Sequence, residues 1–227
     1  MTKVVICTAP RPENYIYRAI SSMREQIALH FFVSGNNASY LDRYKSNPNV
    51  TITTVPTNSE KILFKQFTNY TCCLNGGYIE GEKGIFVIED DTKFAKGWKL
   101  RLDGIISELE LKYGDKFAIS LFTALPICKD NELPSSYYLP LVEVDKFIGT
   151  QGMYYPDFVR RGILKHFERY NELNVKNYDA IVKDYLVENR IPLFITIPCL
   201  VNHTGFKSSW YHSQFTNVAI VFHEVLS

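Results

Sequence analysis

Three carboxylates, Glu89-Asp90-Asp91, follow directly on the apolar run Gly84 to Ile88. Carboxylates packed this closely repel one another unless they are protonated or share a cation. Oxygen donors of this kind suit hard divalent ions such as Mg²⁺ or Mn²⁺, which also favour phosphate oxygens. A hundred residues further on, Val201-Asn202-His203-Thr204-Gly205 follows another apolar run and delivers an imidazole at its end. Imidazole, carboxylate and diphosphate together make a plausible manganese shell. Each feature also has a plain alternative: an acidic turn can simply cap the next helix, and a lone His is often structural.

Such groups need elements to carry them. Lys3 to Thr8 reads as a buried strand stopped by Pro10 and Pro12. Tyr15, Ala19, Ile20 and Met23 recur at helical spacing, and Leu29 to Val33 and Val50 to Val55 read as strands. Ser59 and Glu60 open a predicted helix that runs toward Leu74 and is closed by Asn75-Gly76-Gly77. Gly84 to Ile88 is a strand, Trp98 to Tyr113 an amphipathic helix, and Phe117 to Phe122 another strand. Strand and helix alternate over the first 122 residues, which predicts an α/β fold with a doubly wound, largely parallel sheet. In open sheets of this kind ligands sit beyond the carboxyl ends of the strands, where the acidic cluster falls.

The second half is less regular. Thr123 to Pro140 reads as a long loop of the sort used for lids or acceptor binding. Val142 to Ile148 alternates like a strand and ends in the turn Gly149-Thr150-Gln151-Gly152. Pro156 opens a helix to about Tyr170, a further helix spans Tyr178 to Asn189, and Ile191 to Ile197 is a strand. No internal repeat or linker stands out.

In order and spacing, nearly all of the chain resembles a compact GT-A glycosyltransferase, a nucleotide-diphosphosugar transferase with a DxD-type metal motif. The resemblance rests on Cys7-Thr8-Ala9-Pro10-Arg11, on Phe86-Val87-Ile88-Glu89-Asp90-Asp91, on the stretch from Gly149 to Tyr155, and on Val201 to Gly205. It implies a single domain over 1–227, with a mixed, mostly parallel sheet flanked by helices. Residues 1–122 would bind the nucleotide sugar and 123–227 the acceptor. The implied metal ligands are Asp91 and His203, with Glu89 or Asp90 acting through water or holding the donor ribose. Thr8, Ala9 and Arg11 would line the nucleotide pocket, and Lys65 and Asn69, one turn apart on a helix, could reach base or ribose. Lys207 and Ser208 would touch the diphosphate. The motif reads Glu-Asp-Asp where the family has Asp-x-Asp, which leaves the use of the first carboxylate open.

The implied cofactors are Mn²⁺ or Mg²⁺ and a nucleotide-diphosphosugar donor, a UDP-sugar first. The implied acceptor is a hydroxyl on a glycan or on a hydroxymethylated DNA base. If configuration inverts, a carboxylate takes the acceptor proton. Asp179 is the candidate base, with Asp184 and Glu143 behind it; Asp179 could equally be helix capping. Gly149, Thr150, Gln151 and Gly152 form a turn whose backbone can approach a sugar. Arg161, Lys165 and Arg169 make a basic stripe at i, i+4, i+8, with Arg160 and His166 adjacent, which reads either as a solvated face or as phosphate contacts.

Rival chemistries fit less well. The chain contains no GxSxG, no GxGxxG and no P-loop; Gly76 and Gly81 have the P-loop spacing, but Glu82 stands where Lys is needed. A sugar nucleotidyltransferase normally carries a Gly-rich basic loop after the first strand, and Thr8 to Glu13 has no Gly. A non-catalytic sugar-nucleotide or glycan-binding module is the remaining alternative.

The 227 residues carry 25 Lys and Arg against 24 Asp and Glu, a net charge of +1, so no global field draws the chain to nucleic acid or anionic lipid. At 46% hydrophobic and 22% charged, with 12 Gly and 10 Pro, the composition excludes disordered and collagen-like chains. The five Cys show no paired spacing and read as reduced thiols. The 15 Tyr and 15 Phe mostly fill core, although Tyr also suits sugar or base stacking. No apolar run approaches the roughly 20 residues of a membrane span, and the N-terminus lacks the apolar core of a leader, so a cytoplasmic location is the expectation.

Overall fold

The computed structural model describes residues 3–10, 15–23, 27–123, 138–140, 144–147 and 149–204. In chain order these form β1 (Lys3–Thr8), α1 (Ile16–Met23), β2 (Ala28–Ser34), β3 (Val50–Val55), α2 (Ile62–Gly76), β4 (Gly84–Glu89), β5 (Thr92–Phe94) and α3 (Trp98–Tyr113). There follow β6 (Ala118–Ser120), β7 (Tyr138–Pro140), β8 (Gly152–Pro156), α4 (Asp157–Phe167), α5 (Tyr178–Glu188), β9 (Leu193–Thr196) and β10 (Val201–His203). Short 3-10 turns occupy Ser39–Tyr44 and Val144–Lys146.

Eight strands form one sheet in the order β3-β2-β1-β4-β8-β6-β9-β7. Parallel pairing joins β3, β2, β1 and β4, and also β6 and β9. The sheet is mixed because β8 runs antiparallel to both β4 and β6, and β7 antiparallel to β9. Strands from before and after residue 122 therefore share it.

Side chains alternate across a strand, so neighbours along β1 and β4 enter opposite cores. Val4, Ile6, Phe86 and Ile88 pack with α1 and α3 through Ile16, Met23, Trp98 and Leu102. Val5, Ile85 and Val87 pack on the other face with α2, α4 and α5 through Tyr70, Leu74, Ile163 and Ile181. Burial on both faces explains why β1 and β4 read as unbroken apolar runs. The result is a mixed, mostly parallel sheet between two helical layers, the α/β architecture expected.

Two readings of the second half need correction. Val144–Lys146 is a 3-10 turn rather than part of a strand over 142–148. Val144 and Phe147 lie three residues apart and both pack toward the α5 core, with Phe147 N bonded to Val144 O at 3.0 Å. That is the spacing of a 3-10 turn. In addition, Gly152–Pro156 is a strand where only a turn and a helix start were expected. All five residues are buried, so no alternation betrays β8 in the sequence.

A second, two-stranded sheet pairs β10 with β5 antiparallel, with His203 opposite Thr92. This ribbon returns the later part of the chain to the tip of β4.

Candidate functional site

Three positioning devices meet at the carboxyl end of β4. First, Glu89 closes the strand and Asp91 lies two residues on, while Asp90 points elsewhere. The Thr8 hydroxyl donates to Asp90 Oδ2, and Tyr40 OH lies 3.1 Å from Thr8 Oγ1. Asp90 is thereby tied to the end of β1. Second, β10 brings in His203, whose Nε2 lies 3.1 Å from Asp91 Oδ2. Thr204 anchors this approach, its N and Oγ1 donating to Asp91 O at 2.8 and 3.1 Å. Third, the antiparallel run of β8 pairs Gly84 with Pro156 and Ile88 with Gly152, so the start of β8 lies at the finish of β4. Glu89 N donates to Gln151 O at 3.1 Å across that junction.

The turn before β8 requires glycine at its first position. Gly149 has φ +92°, and a Cβ there would collide with the Gln151 side chain. The turn presents Thr150, wholly buried, whose hydroxyl donates to Asp179 Oδ1 at 2.6 Å and lies 3.5 Å from Glu89 Oε1. Asn177 caps α5 through its side chain, which accepts from Asp179 N. The Asp179 carboxylate is therefore turned to Thr150 and not to the helix end. Tyr178 OH donates to Glu89 Oε1 at 2.8 Å. Its ring stacks on Tyr70 at 4.5 Å between centroids, and Tyr70 OH lies 3.0 Å from Tyr155 OH.

Electrostatics at this point favour a cation. Burial, with the charges of Asp91 and Asp179 adding to it, pushes the Glu89 carboxyl up to about 8, against the opposing effects of His203 and the Tyr178 hydroxyl. Burial also raises Asp179 to about 6, opposed by the bond from Thr150. Tyr178 rises well above its ordinary range through burial and the charges of Glu89 and Asp179, and it stays a donor. One ligand atom each from Glu89, Asp91 and His203 lie within 4.8 Å of one another. Burial and the neighbouring acids disfavour the Glu89 carboxylate when no cation is present, and a divalent ion would relieve that; two carboxylates and an imidazole suit an ion of the Mn²⁺ or Mg²⁺ type.

The sign of the resulting pH dependence is fixed. Glu89 and Asp179 both titrate above their unfolded values, so they contribute stability that is complete below about pH 4 and lost as pH rises through about 6 and then 8. A divalent ion offsets that loss. The expected result is a thermal stabilisation by Mn²⁺ that grows between pH 6 and 8.5, at about 2–4 °C per kcal/mol for a chain of this size. In Glu89→Gln the ion-free melting temperature should fall less over the same range, and the Mn²⁺ gain should shrink. Parallel pH curves for wild type and variant would show that the carboxylates are not coupled in this way.

The other expected site residues are distributed as follows. Thr8 is buried and Ala9 partly exposed at the end of β1. Asn69 is buried, its Nδ2 within bonding distance of Thr8 O and Phe32 O at 3.1 and 3.0 Å. That amide nitrogen ties α2 to β1 and β2, and half-buried Lys65 lies one turn before it. Asp184 pairs with Lys176 at 3.4 Å and acts on His166, so it stands outside the Glu89 cluster. The basic stripe on α4 and the turn after it is largely answered by acids: Arg160 and Arg161 pair with Asp157 at 2.6 and 3.0 Å, and Arg169, just past the helix, with Glu188 at 3.0 Å. Arg160 is buried, its guanidinium 4.0 Å from the centroid of the Tyr78 ring. Asp157 N bonds to Lys83 O, which places the start of α4 at the end of β4 away from Glu89. Arg11, Glu143, Lys207 and Ser208 lie outside the described residues, as does 124–137 of the expected loop.

Fold and site together define an α/β protein with a candidate divalent-ion centre at the tips of its parallel strands. No family model matches the chain, and no curated protein matches it by sequence. Among solved structures it is similar to the apo-form glycosyltransferase GlyE of Streptococcus pneumoniae TIGR4, with a TM-score of 0.47 and 9% identity. That match covers 85% of this chain and 44% of the other, so the chain spans less than half the length of that protein. No described helix is long and apolar enough to cross a membrane.

Proposed function

We propose that this chain is a metal-dependent glycosyltransferase that moves a sugar from a nucleoside-diphosphate donor, UDP first among them, to an acceptor hydroxyl. The observation that carries the reading is the convergence of Glu89, Asp91 and His203, from sequence positions more than a hundred residues apart, at the ligand-binding edge of the sheet. Those three residues would hold Mn²⁺ or Mg²⁺. Bound there, the ion supplies positive charge for the departing diphosphate.

The chain's own groups account for the rest. Thr8 and Ala9, at the tip of β1, and Lys65 on α2 line the nucleotide side. The turn Gly149-Thr150-Gln151-Gly152 and Asp179 form the acceptor side. Thr150 fixes Asp179 through Oδ1, which leaves Oδ2 to take the proton. As the acceptor oxygen bonds to the anomeric carbon, its proton passes to Asp179 and the bond from that carbon to the diphosphate oxygen breaks, its electron pair leaving with the diphosphate. The anomeric configuration inverts. With its carboxyl near 6, Asp179 is ionised at neutral pH and basic enough to accept a proton in the transition state. The acid pairing of Arg161 and Arg169 favours a glycan acceptor over duplex DNA.

The test is a thermal-shift screen of nucleotide sugars with Mn²⁺ or EDTA, followed by donor hydrolysis under both conditions. One donor should raise the melting temperature by several degrees, and only with the ion, because a ligand selective for the native state stabilises it by mass action. Equal shifts in EDTA, or none with any donor, would remove the reading. Pyrophosphate released from a nucleoside triphosphate and a sugar phosphate would replace it with nucleotidyl transfer.

A further inference from the structure

A cavity of about 220 Å³ opens at the end of β4 away from Glu89. Gly84 begins that strand and Glu89 closes it, roughly 17 Å away at the rise of an extended chain. Asp103, Ile106 and Glu110 line the cavity from α3, at helical spacings that put them on one face. Glu82 and Gly84 line it from the start of β4, and Tyr154 from β8. Gly84 makes room for the phenol, because a Cβ there would lie 2.7 Å from the Tyr154 hydroxyl. Tyr154 is only 2% exposed, yet its hydroxyl has no hydrogen-bond partner among the described residues. A hydroxyl buried without a partner is costly. This one faces a space several times the share of one water, about 30 Å³.

We propose that this cavity binds a primary ammonium carried on a short alkyl stem, as in an alkanediamine. The ammonium donates to Tyr154 Oη and to the carboxylates of Glu110 and Asp103, and the stem lies along Ile106. Charge selects a cation. The lining carries three carboxylates, Glu82, Asp103 and Glu110, against one ammonium, Lys83. Burial raises the Tyr154 phenol above its ordinary range, and the charges of Glu110, Glu82 and Asp103 raise it further, so it stays protonated in a negative field. Donor chemistry then selects an ammonium over a metal ion. A hard divalent ion wants six or more oxygens around it, and a neutral phenol beside Ile106 and Gly84 serves it poorly. An N–H group needs only an acceptor, and the phenol oxygen is one. A neutral polyol would leave the negative charge unanswered.

The protein's own lysines already meet these acids from outside. Lys99 takes Asp103 Oδ2 at 2.6 Å, and Lys83, its side chain 75% exposed, takes Glu110 Oε2. Each leaves the second oxygen of its carboxylate, Asp103 Oδ1 and Glu110 Oε1, with no donor among the described residues. An incoming ammonium therefore displaces neither lysine. Ser107, at the exposed rim, donates its hydroxyl to Asp103 O and is already satisfied. The proposal is independent of the Glu89 site.

Titration of the full chain with 1,4-diaminobutane tests it, at neutral pH and fixed ionic strength, with the δ1 methyl resonance of Ile106 as the reporter. The expected result is a saturable shift whose apparent dissociation constant rises about tenfold or more in Tyr154→Phe and in Glu110→Gln. Tyr154→Phe removes a hydroxyl that no described group uses, so without amine its melting temperature should be unchanged or higher. That separates lost binding from lost folding. Butane-1,4-diol, with the same stem and no charge, should leave the resonance unmoved. Absence of a saturable shift, equal binding by all three proteins, or an equal response to the diol would overturn the proposal. So would a Tyr154→Phe variant that melts lower, since the protein then holds the hydroxyl itself. Saturation of the same resonance by Mg²⁺ that survives Tyr154→Phe would make the cavity a metal site instead.

Discussion

Asp91→Asn is expected to lower ion-dependent donor turnover about 100- to 1,000-fold, the scale on which removal of a fixed group that stabilises developing charge is felt. The substitution keeps the shape and the backbone carbonyl that Thr204 grips, so β10 and His203 stay in place. It removes the carboxylate that lies 3.1 Å from the imidazole within the cluster of three ligand atoms. The ion-free protein should not lose stability, because Asp91 is one of the charges that hold the carboxyl of Glu89 high and its removal relieves that repulsion. A variant with an unchanged or higher melting temperature without Mn²⁺, and little further gain with it, is the expected pattern. Calorimetric titration with Mn²⁺ alone, needing no donor, reads the same loss directly. His203→Gln should show a smaller effect, since it removes a neutral donor and leaves both carboxylates. Should Asp91→Asn bind Mn²⁺ as tightly as the wild type, the ion belongs elsewhere and the proposed chemistry loses its centre.

How far the sequence reveals this arrangement depends on the range of each interaction. The apolar run ending in Glu89-Asp90-Asp91 announces a buried strand delivering charge to a sheet edge, because burial on both faces and the break to acid are local facts. The division of labour among the three acids is not local. Glu89 and Asp91 turn to His203 and Tyr178, whereas Asp90 turns to Thr8, eighty-two residues earlier in the chain. Only the paired strands decide that. Tyr178 is missed for the same reason: nothing beside it in sequence marks a tyrosine whose partner is eighty-nine residues away, although the high Tyr content leaves room for one. The largest gap is β8. Its residues Gly152-Met153-Tyr154-Tyr155-Pro156 lack both a long apolar run and an alternation, yet their antiparallel insertion carries Thr150 to Glu89. Without that strand, Gly149 to Gly152 reads only as a turn near an acceptor.

The second large effect is expected at Asp179, and it separates base from scaffold. Asp179→Asn should lower transfer to the acceptor about 100- to 10,000-fold, the range for loss of a positioned general base. The amide keeps an oxygen for the Thr150 hydroxyl, so the turn and its bond survive. Donor and Mn²⁺ binding should change little, because Asp179 is not among the three clustered ligands. The loss should therefore fall on kcat, with the KM for the donor nearly unchanged. In the wild type the acid limb of kcat should lie near pH 6, where the Asp179 carboxyl protonates. Thr150→Val removes the bond that opposes the effect of burial on Asp179, so this limb should move to higher pH and the rate at neutral pH should fall less than in Asp179→Asn. NMR of the first-formed product should show the anomer opposite to that of the donor. Retained configuration, or a variant whose kcat is unaltered, would leave Asp179 with only its structural contacts to Thr150.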